Sequence, residues 1–440
     1  MEKARAQFGT KLGVLAATVG SAVGLGNIWR FPYECGTGGG AAFLMVYIGF
    51  VFLLGVPTIC AEFGLGRSSR KGMPGSFRRI TGNKRWDFFG YAAIMAAFMI
   101  LAFYAVVAGW TLEYIVDSAT GLFKDTPNME RHAQFQSFVS GWRSVLWAVV
   151  FLVINALVMI GGVVKGIERV SNILMPLLFV ILIAFCVNSL MMPGAADGLT
   201  FLFKPDFSKL TADVVLGAMG QAFFSLSIGM GCLVTYASYF SDNTPLIKTS
   251  LQIAALDTLV AIMAGIIIFP AVFSFGMSPA EGPTLVFEVL PNIFHNMPGG
   301  SVWSFFFFVL LALASLTSII SVSEIVVAFL CDEFGLSRLK STMAVTGISL
   351  VLAALCSLSF GPLQGLNLFN LFDFISSNVL MPLGGMGVCV FTGWKMKKST
   401  YVEQMRGNSN VSKWLFDSIT FCMRYIAPAG ILIVFIAGLL

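Results

Sequence analysis

The chain has 440 residues, 57% of them apolar and only 11% charged, with a formal net charge of +5. Its mean hydropathy is +0.86. So few charges cannot cover the surface of a water-soluble protein of this length, which excludes a soluble enzyme and a disordered chain. The basic residues fall in short loops between apolar runs, which excludes a nucleic-acid binder.

A membrane-crossing helix needs about 20 mostly apolar residues. The stretches free of Asp, Glu, Lys and Arg, trimmed and extended at their ends, predict eleven such helices. In chain order they are helix 1 (about 11–34), helix 2 (41–69), helix 3 (87–117), helix 4 (143–163), helix 5 (166–190) and helix 6 (212–240). Helix 7 (246–276), helix 8 (300–333), helix 9 (340–358), helix 10 (364–394) and helix 11 (415–439) follow. With the N-terminus inside, the inner segments hold twenty-one of the 27 Lys and Arg residues and the outer segments five. That asymmetry predicts a cytoplasmic N-terminus and an outside C-terminus. The first apolar run is too long for a cleavable signal peptide. Connectors 118–142 and 277–299 are long. In the second, Thr284–Leu290 reads as a short amphipathic helical piece closed by Pro291.

The eight cysteines form no CxxC pair, and the two histidines, His132 and His295, fall in polar connectors. Neither a zinc nor a histidine-based metal centre is expected, nor redox chemistry. No motif of a membrane enzyme is present, so no catalytic residue is expected.

Helix 1 contains Gly20-Ser-Ala-Val-Gly-Leu-Gly-Asn27 and helix 6 contains Ser225-Leu-Ser-Ile-Gly-Met-Gly231. Val23-Gly24-Leu25-Gly26 and Ile228-Gly229-Met230-Gly231 echo each other at the first helix of each half. Such paired interruptions point to a transport site, because non-helical backbone at membrane depth is tolerated where it lines a cavity. Close packing of helices on small residues accounts for the same glycines equally well. A break near Leu25 and Gly26 aims free N–H groups at an anion, and the half ending near Ala22 leaves carbonyls for a cation. The halves would be two inverted five-helix repeats, about 11–190 and 212–394, in a single domain spanning 1–440, with helix 11 added. Thr317 and Ser318, with the carbonyl of Ala314, converge on one face of helix 8, although both hydroxyls could bond back to their own helix. Arg30, Glu62, Asp257, Glu324 and Asp373 are charges at membrane depth and demand explanation.

Ala22-Val-Gly-Leu-Gly-Asn-Ile-Trp-Arg-Phe-Pro32 resembles the helix 1 signature of the neurotransmitter:sodium symporters. Gly220-Gln-Ala-Phe-Phe-Ser-Leu-Ser227, Thr235-Tyr-Ala-Ser-Tyr239, Gly282-Pro-Thr-Leu-Val-Phe287 and Ser315-Leu-Thr-Ser318 resemble further stretches of that family, and the likeness is strongest to its prokaryotic amino-acid carriers. The resemblance implies a sodium-coupled symporter importing hydrophobic or aromatic L-amino acids across the bacterial inner membrane by alternating access. A proton-coupled carrier of the same fold is the alternative.

The roles that the resemblance implies are as follows. A first sodium would bind the Ala22 carbonyl, Asn27, Ser225 and Asp257. A second would bind the Gly20, Val23 and Ala314 carbonyls with Thr317 and Ser318. The substrate carboxylate would meet the Leu25 and Gly26 amides and Tyr104, and its ammonium the carbonyls of Ala22 and Phe224 and Ser227. Ile100, Phe224, Met230, Ser318 and Val322 would border the side chain. Arg30 and Asp373 would pair as the outer gate, and Arg5, Asp332 and Tyr239 would close the inner side. Gly166 and Pro176 would let helix 5 unwind. Phe8 stands where the family often has tryptophan, which implies looser packing there. Gly24 stands where amine carriers have aspartate, and Ser21 where asparagine is usual. Chloride-dependent relatives have a neutral residue at position 257 and bind the anion near the positions of Tyr47, Gln221, Ser225 and Ala261. Asp257 carries its own charge here, so no chloride requirement is expected.

Overall fold

The computed structural model describes residues 5–121, 128–279, 286–287, 289–295, 299–406 and 411–439. These residues are helical with no strand among them, and the helices lie close to their predicted bounds. Among the described residues, nine helices are long and apolar enough to cross a membrane: Ala41–Ser69, Lys84–Thr120, Trp142–Ile160, Val163–Leu190, Leu246–Ser274, Gly300–Phe334, Arg338–Leu358, Gln364–Lys395 and Lys413–Ala437. Lys11–Ala22 and Gly26–Thr37 make a tenth if counted as one bent span. Helix 6 is split into Ala212–Ser225 and Cys232–Ala237, too short to pass the same test, so the count of eleven is not established by length and composition alone.

Local chemistry sets these bounds. Thr10 caps helix 1 by accepting from the Gly13 N–H, and Thr211 caps helix 6 by accepting from the Val214 N–H. Helix 5 starts with a wide turn over Val163–Glu168, immediately after Gly162 at φ 78°. There the Val158 carbonyl lies 2.1 Å from where a Cβ on Gly166 would stand. Pro176 sits inside helix 5, where its missing N–H weakens the ladder. The piece expected over 284–290 falls largely outside the described residues. The helix seen there is Val289–His295, with Pro291 in its first turn rather than closing it.

Helices 3 and 8, the longest, pack along one another at the centre, with helix 1 against helices 5, 7 and 8. Buried residues make up 83% of the most apolar window of helix 3 but 28% of that of helix 11. Helices 4, 5, 9 and 11 turn apolar residues such as Leu157, Val180, Val351 and Ile433 outward. In water such a surface would drive aggregation, whereas acyl chains solvate it.

Candidate functional site

The two breaks face each other at the centre of the bundle. Helix 1 bends by 48° between Ala22 and Gly26. A Cβ on Gly24 would lie 2.4 Å from Ser318 Oγ and 2.9 Å from the Tyr104 hydroxyl, so only glycine lets helices 1, 3 and 8 meet here. Helix 6 unwinds over 226–231, where Ser227, Gly229 and Gly231 take φ values of 53°, 87° and 88°. Side chains from neighbouring helices catch the freed backbone groups. The Gly229 N–H donates to Glu62 Oε1 at 2.7 Å, which gives that buried carboxylate its partner. The Leu25 N–H donates to the Tyr104 hydroxyl at 3.2 Å. Gln221 Nε2 donates to the Gly26 carbonyl at 2.9 Å, and Ser227 Oγ to the Ser21 carbonyl at 2.8 Å.

Beside the helix 1 break lies a buried polar cluster. Asn27 Nδ2 donates to Asp257 Oδ1 at 2.7 Å and to Ser225 Oγ at 2.9 Å. Ser225 Oγ donates to Asp257 Oδ2 at 2.7 Å. The Tyr47 hydroxyl donates to Asp257 Oδ2 at 3.2 Å and adds a fourth member from helix 2. All four residues are at most 1% exposed. A carboxylate this deep is held by hydrogen bonds or by a cation, and uncharged oxygens around a single negative charge suit a monovalent ion.

On the other side of the same break, Thr317 Oγ1 donates to the Ala314 carbonyl at 3.0 Å. Ser318 Oγ instead crosses to helix 1 and donates to the Val23 carbonyl at 3.3 Å. Back-bonding to its own helix thus describes Thr317 but not Ser318. Gly20 lies against them, with Thr317 Cβ 3.1 Å from where its own Cβ would stand. The residues expected to form a second oxygen cluster therefore meet between helices 1 and 8.

A cavity of about 210 Å³ opens above the breaks. Leu25, Gly26, Tyr104 and Phe224 line it, as do Arg30 and Asp373. The expected Arg30–Asp373 pair is not formed. The Arg30 guanidinium lies 4.6 Å over the Phe224 ring and its Nε reaches Glu34 Oε1 at 3.3 Å, one turn along its own helix. Asp373 accepts from Ser377 Oγ at 3.0 Å, also within its own helix. With each charge satisfied locally, this end stays open. Ile100, Met230 and Val322 are buried but do not line this cavity. Ile100 sits one helical turn before Tyr104, past the cavity's end.

The opposite end is sealed. Arg5 Nη1 donates to both oxygens of Asp332, at 2.6 and 2.7 Å, and Arg5 Nε donates to Ser238 Oγ at 2.8 Å. Its guanidinium also lies 4.6 Å over the Tyr239 ring. The Tyr239 hydroxyl donates to Glu324 Oε1 at 2.7 Å, and Arg338 grips the same carboxylate at 2.9 and 2.7 Å. Glu324 and Arg338 thus form a second layer of closure that sequence reading left without a role. The looser packing expected at Phe8 is not seen. Its ring is 7% exposed and packs against Tyr236, Tyr239 and Phe240.

The family model described as the sodium:neurotransmitter symporter family matches residues 5–132 and 129–440. An uncharacterized sodium-dependent transporter of Bacillus subtilis is 38% identical over 444 residues, covering 99% of this chain and 98% of the relative. A similarly described transporter of Haemophilus influenzae is 32% identical, with 99% of each chain covered. Among solved structures, the crystal structure of MhsT in complex with L-phenylalanine matches with a TM-score of 0.90 at 43% identity, covering 99% of this chain and all of the other. This chain belongs to the sodium:neurotransmitter symporter family and is a sodium-coupled secondary transporter embedded in the membrane, not an enzyme.

Proposed function

We propose that this chain imports hydrophobic or aromatic L-amino acids together with Na⁺ across the bacterial plasma membrane by alternating access. The observation that carries the reading is the facing pair of breaks. The Leu25 and Gly26 amides, with the Tyr104 hydroxyl, suit a carboxylate. The carbonyls of Ala22 and Phe224 and the Ser227 side chain suit an ammonium group. Phe224 roofs the site from the open side, and Ile100, Met230, Ser318 and Val322 would border the substrate side chain once it seats. Gly24 leaves no acidic counter-ion for a carboxylate-free amine.

One Na⁺ would sit among the Ala22 carbonyl, Asn27, Ser225 and Asp257, the amide of Asn27 turning its oxygen inward. A second would sit among Gly20, Val23, Ala314, Thr317 and Ser318. The carboxylate of Asp257 makes chloride dispensable, because an anion beside it would be repelled. Arg30 and Asp373 would pair when the open end shuts. Arg5, Asp332 and Tyr239 would part when the other end opens, helped by unwinding at Gly166 and Pro176. The N-terminus would be cytoplasmic and the C-terminus outside, with eleven crossings and repeats at about 11–190 and 212–394 of one domain. The neighbouring MhsT structure, solved with L-phenylalanine, supports the aromatic end of this substrate range. Sodium-dependent relatives lend no support to the proton-coupled alternative.

The reading is tested by a thermal-shift panel of amino acids on purified protein with and without Na⁺. Stabilisation by leucine, phenylalanine, tyrosine or tryptophan that requires Na⁺ is expected. Stabilisation by glutamate, lysine or a carboxylate-free amine, with no response to leucine or the aromatic amino acids, would overturn it.

A further inference from the structure

Helix 8 ends in two adjacent carboxylates that serve different partners. Asp332 holds Arg5 and accepts from the Gly72 N–H at 2.9 Å. Glu333 accepts from Arg78 Nη1 at 2.9 Å, and Arg78 Nε also donates to Asp87 Oδ2 at 2.8 Å. The hydrogen bonds that Asp87, and then Glu333, accept from Arg78 raise its pKa and keep the guanidinium charged. One network therefore joins the short helix Met73–Thr81, the start of helix 3 and the tail of helix 8, and the Lys84–Trp86 turn lies between the first two.

These elements enclose an open cavity of about 650 Å³ at the sealed end of the bundle. Its back wall is the Arg78 network, so Asp87 and Glu333 are already engaged. Its mouth carries Lys84 and Arg85, both exposed and without an ion pair among the described residues. Phe88, Tyr91 and Phe334 line the same cavity and are 62%, 47% and 65% exposed at the ends of two membrane-crossing helices. In water, three such rings around one cavity would be a liability. At a membrane surface, rings at this level contact glycerol and acyl carbons while cations above them meet phosphate.

We infer that this cavity seats the headgroup of an anionic phospholipid, with Lys84 and Arg85 on its phosphate and Phe88, Tyr91 and Phe334 along its upper acyl chain. A lipid held there braces the Met73–Thr81 helix against the tail of helix 8. It thereby strengthens the neighbouring Arg5–Asp332 closure, which shares that tail and the Gly72 amide.

The test is lipid retention by the full chain in native mass spectrometry, with phosphatidylglycerol, phosphatidylcholine and phosphatidylethanolamine offered separately. Lys84→Gln/Arg85→Gln is compared with Lys395→Gln/Lys398→Gln, which removes equal charge elsewhere at the same end. A basic side chain near an anionic surface is worth about fivefold in affinity, so the first pair should lose about 25-fold for phosphatidylglycerol. The control pair should lose much less, and unchanged melting in detergent should show that both variants are folded. Equal losses in the two pairs, equal retention of all three lipids by the wild type, or equal protection by soluble glycerol phosphate would each overturn the assignment.

Discussion

Gly24→Ala puts one methyl group where three helices meet. The added Cβ would stand 2.4 Å from Ser318 Oγ and 2.9 Å from the Tyr104 oxygen. Ser318 could rotate away only by giving up its bond to the Val23 carbonyl. The Tyr104 hydroxyl sits at the end of a stiff ring and is tied to the Leu25 N–H. Overpacking of this kind costs about 1–3 kcal/mol. Concentrated on the bound state, that is a loss of about 5- to 150-fold in affinity. The loss should fall on Na⁺ and on the amino acid together, since Ser318 borders both and Tyr104 meets the substrate carboxylate. Gly49→Ala is the control, because no atom lies within 4 Å of its added Cβ. Na⁺ titrations of thermal stability and binding of labelled phenylalanine measure both affinities. Wild-type affinities in Gly24→Ala would refute the argument that these three helices share the site.

Other perturbations separate the remaining parts. Gly229→Ala combines a left-handed φ of 87° with the Met381 carbonyl 2.1 Å from the new Cβ, so the variant should fail to reach the membrane folded; normal monodisperse expression would contradict this. Arg338→Ala leaves the fully buried Glu324 carboxylate without its cation, a loss of about 3–5 kcal/mol that should lower the melting temperature in detergent. Glu324→Gln should restore part of it, and no loss in the single variant would argue against the second layer of closure. Replacing chloride by gluconate should leave uptake unchanged, while Asp257→Asn should weaken Na⁺ binding or create a chloride requirement. Met230→Phe should favour smaller substrates in competition assays, and an unchanged order would remove Met230 from the pocket.

The fold was legible because lipid makes its rules simple. A long run without charge must be a helix, and most of the charge-free run 35–61 lies in the observed helix Ala41–Ser69. The breaks were legible for the same reason, since glycines crowded beside Asn27 and Ser225 are costly unless the backbone there is used. Helix 6 shows the limit. Its glycines marked a break, but that six residues would unwind depends on Glu62 capturing the Gly229 N–H from another helix. Gln221 on the Gly26 carbonyl was hidden likewise, because it joins residues far apart in sequence, and Arg338 on Glu324 because it bridges the turn between helices 8 and 9. Arg30 failed for a different reason. Sequence reading supplied Asp373 as its partner, whereas the structure satisfies Arg30 with Glu34 and Phe224.

The central claim is that Na⁺ drives an aromatic or hydrophobic amino acid through this site. Purified protein in proteoliposomes, given an inward Na⁺ gradient and labelled phenylalanine or leucine, tests it most directly. Accumulation above equilibrium that collapses when Na⁺ is equal on both sides, and that a proton gradient does not replace, is the predicted result. Accumulation driven by a proton gradient without Na⁺, or none for any hydrophobic amino acid, would contradict the account.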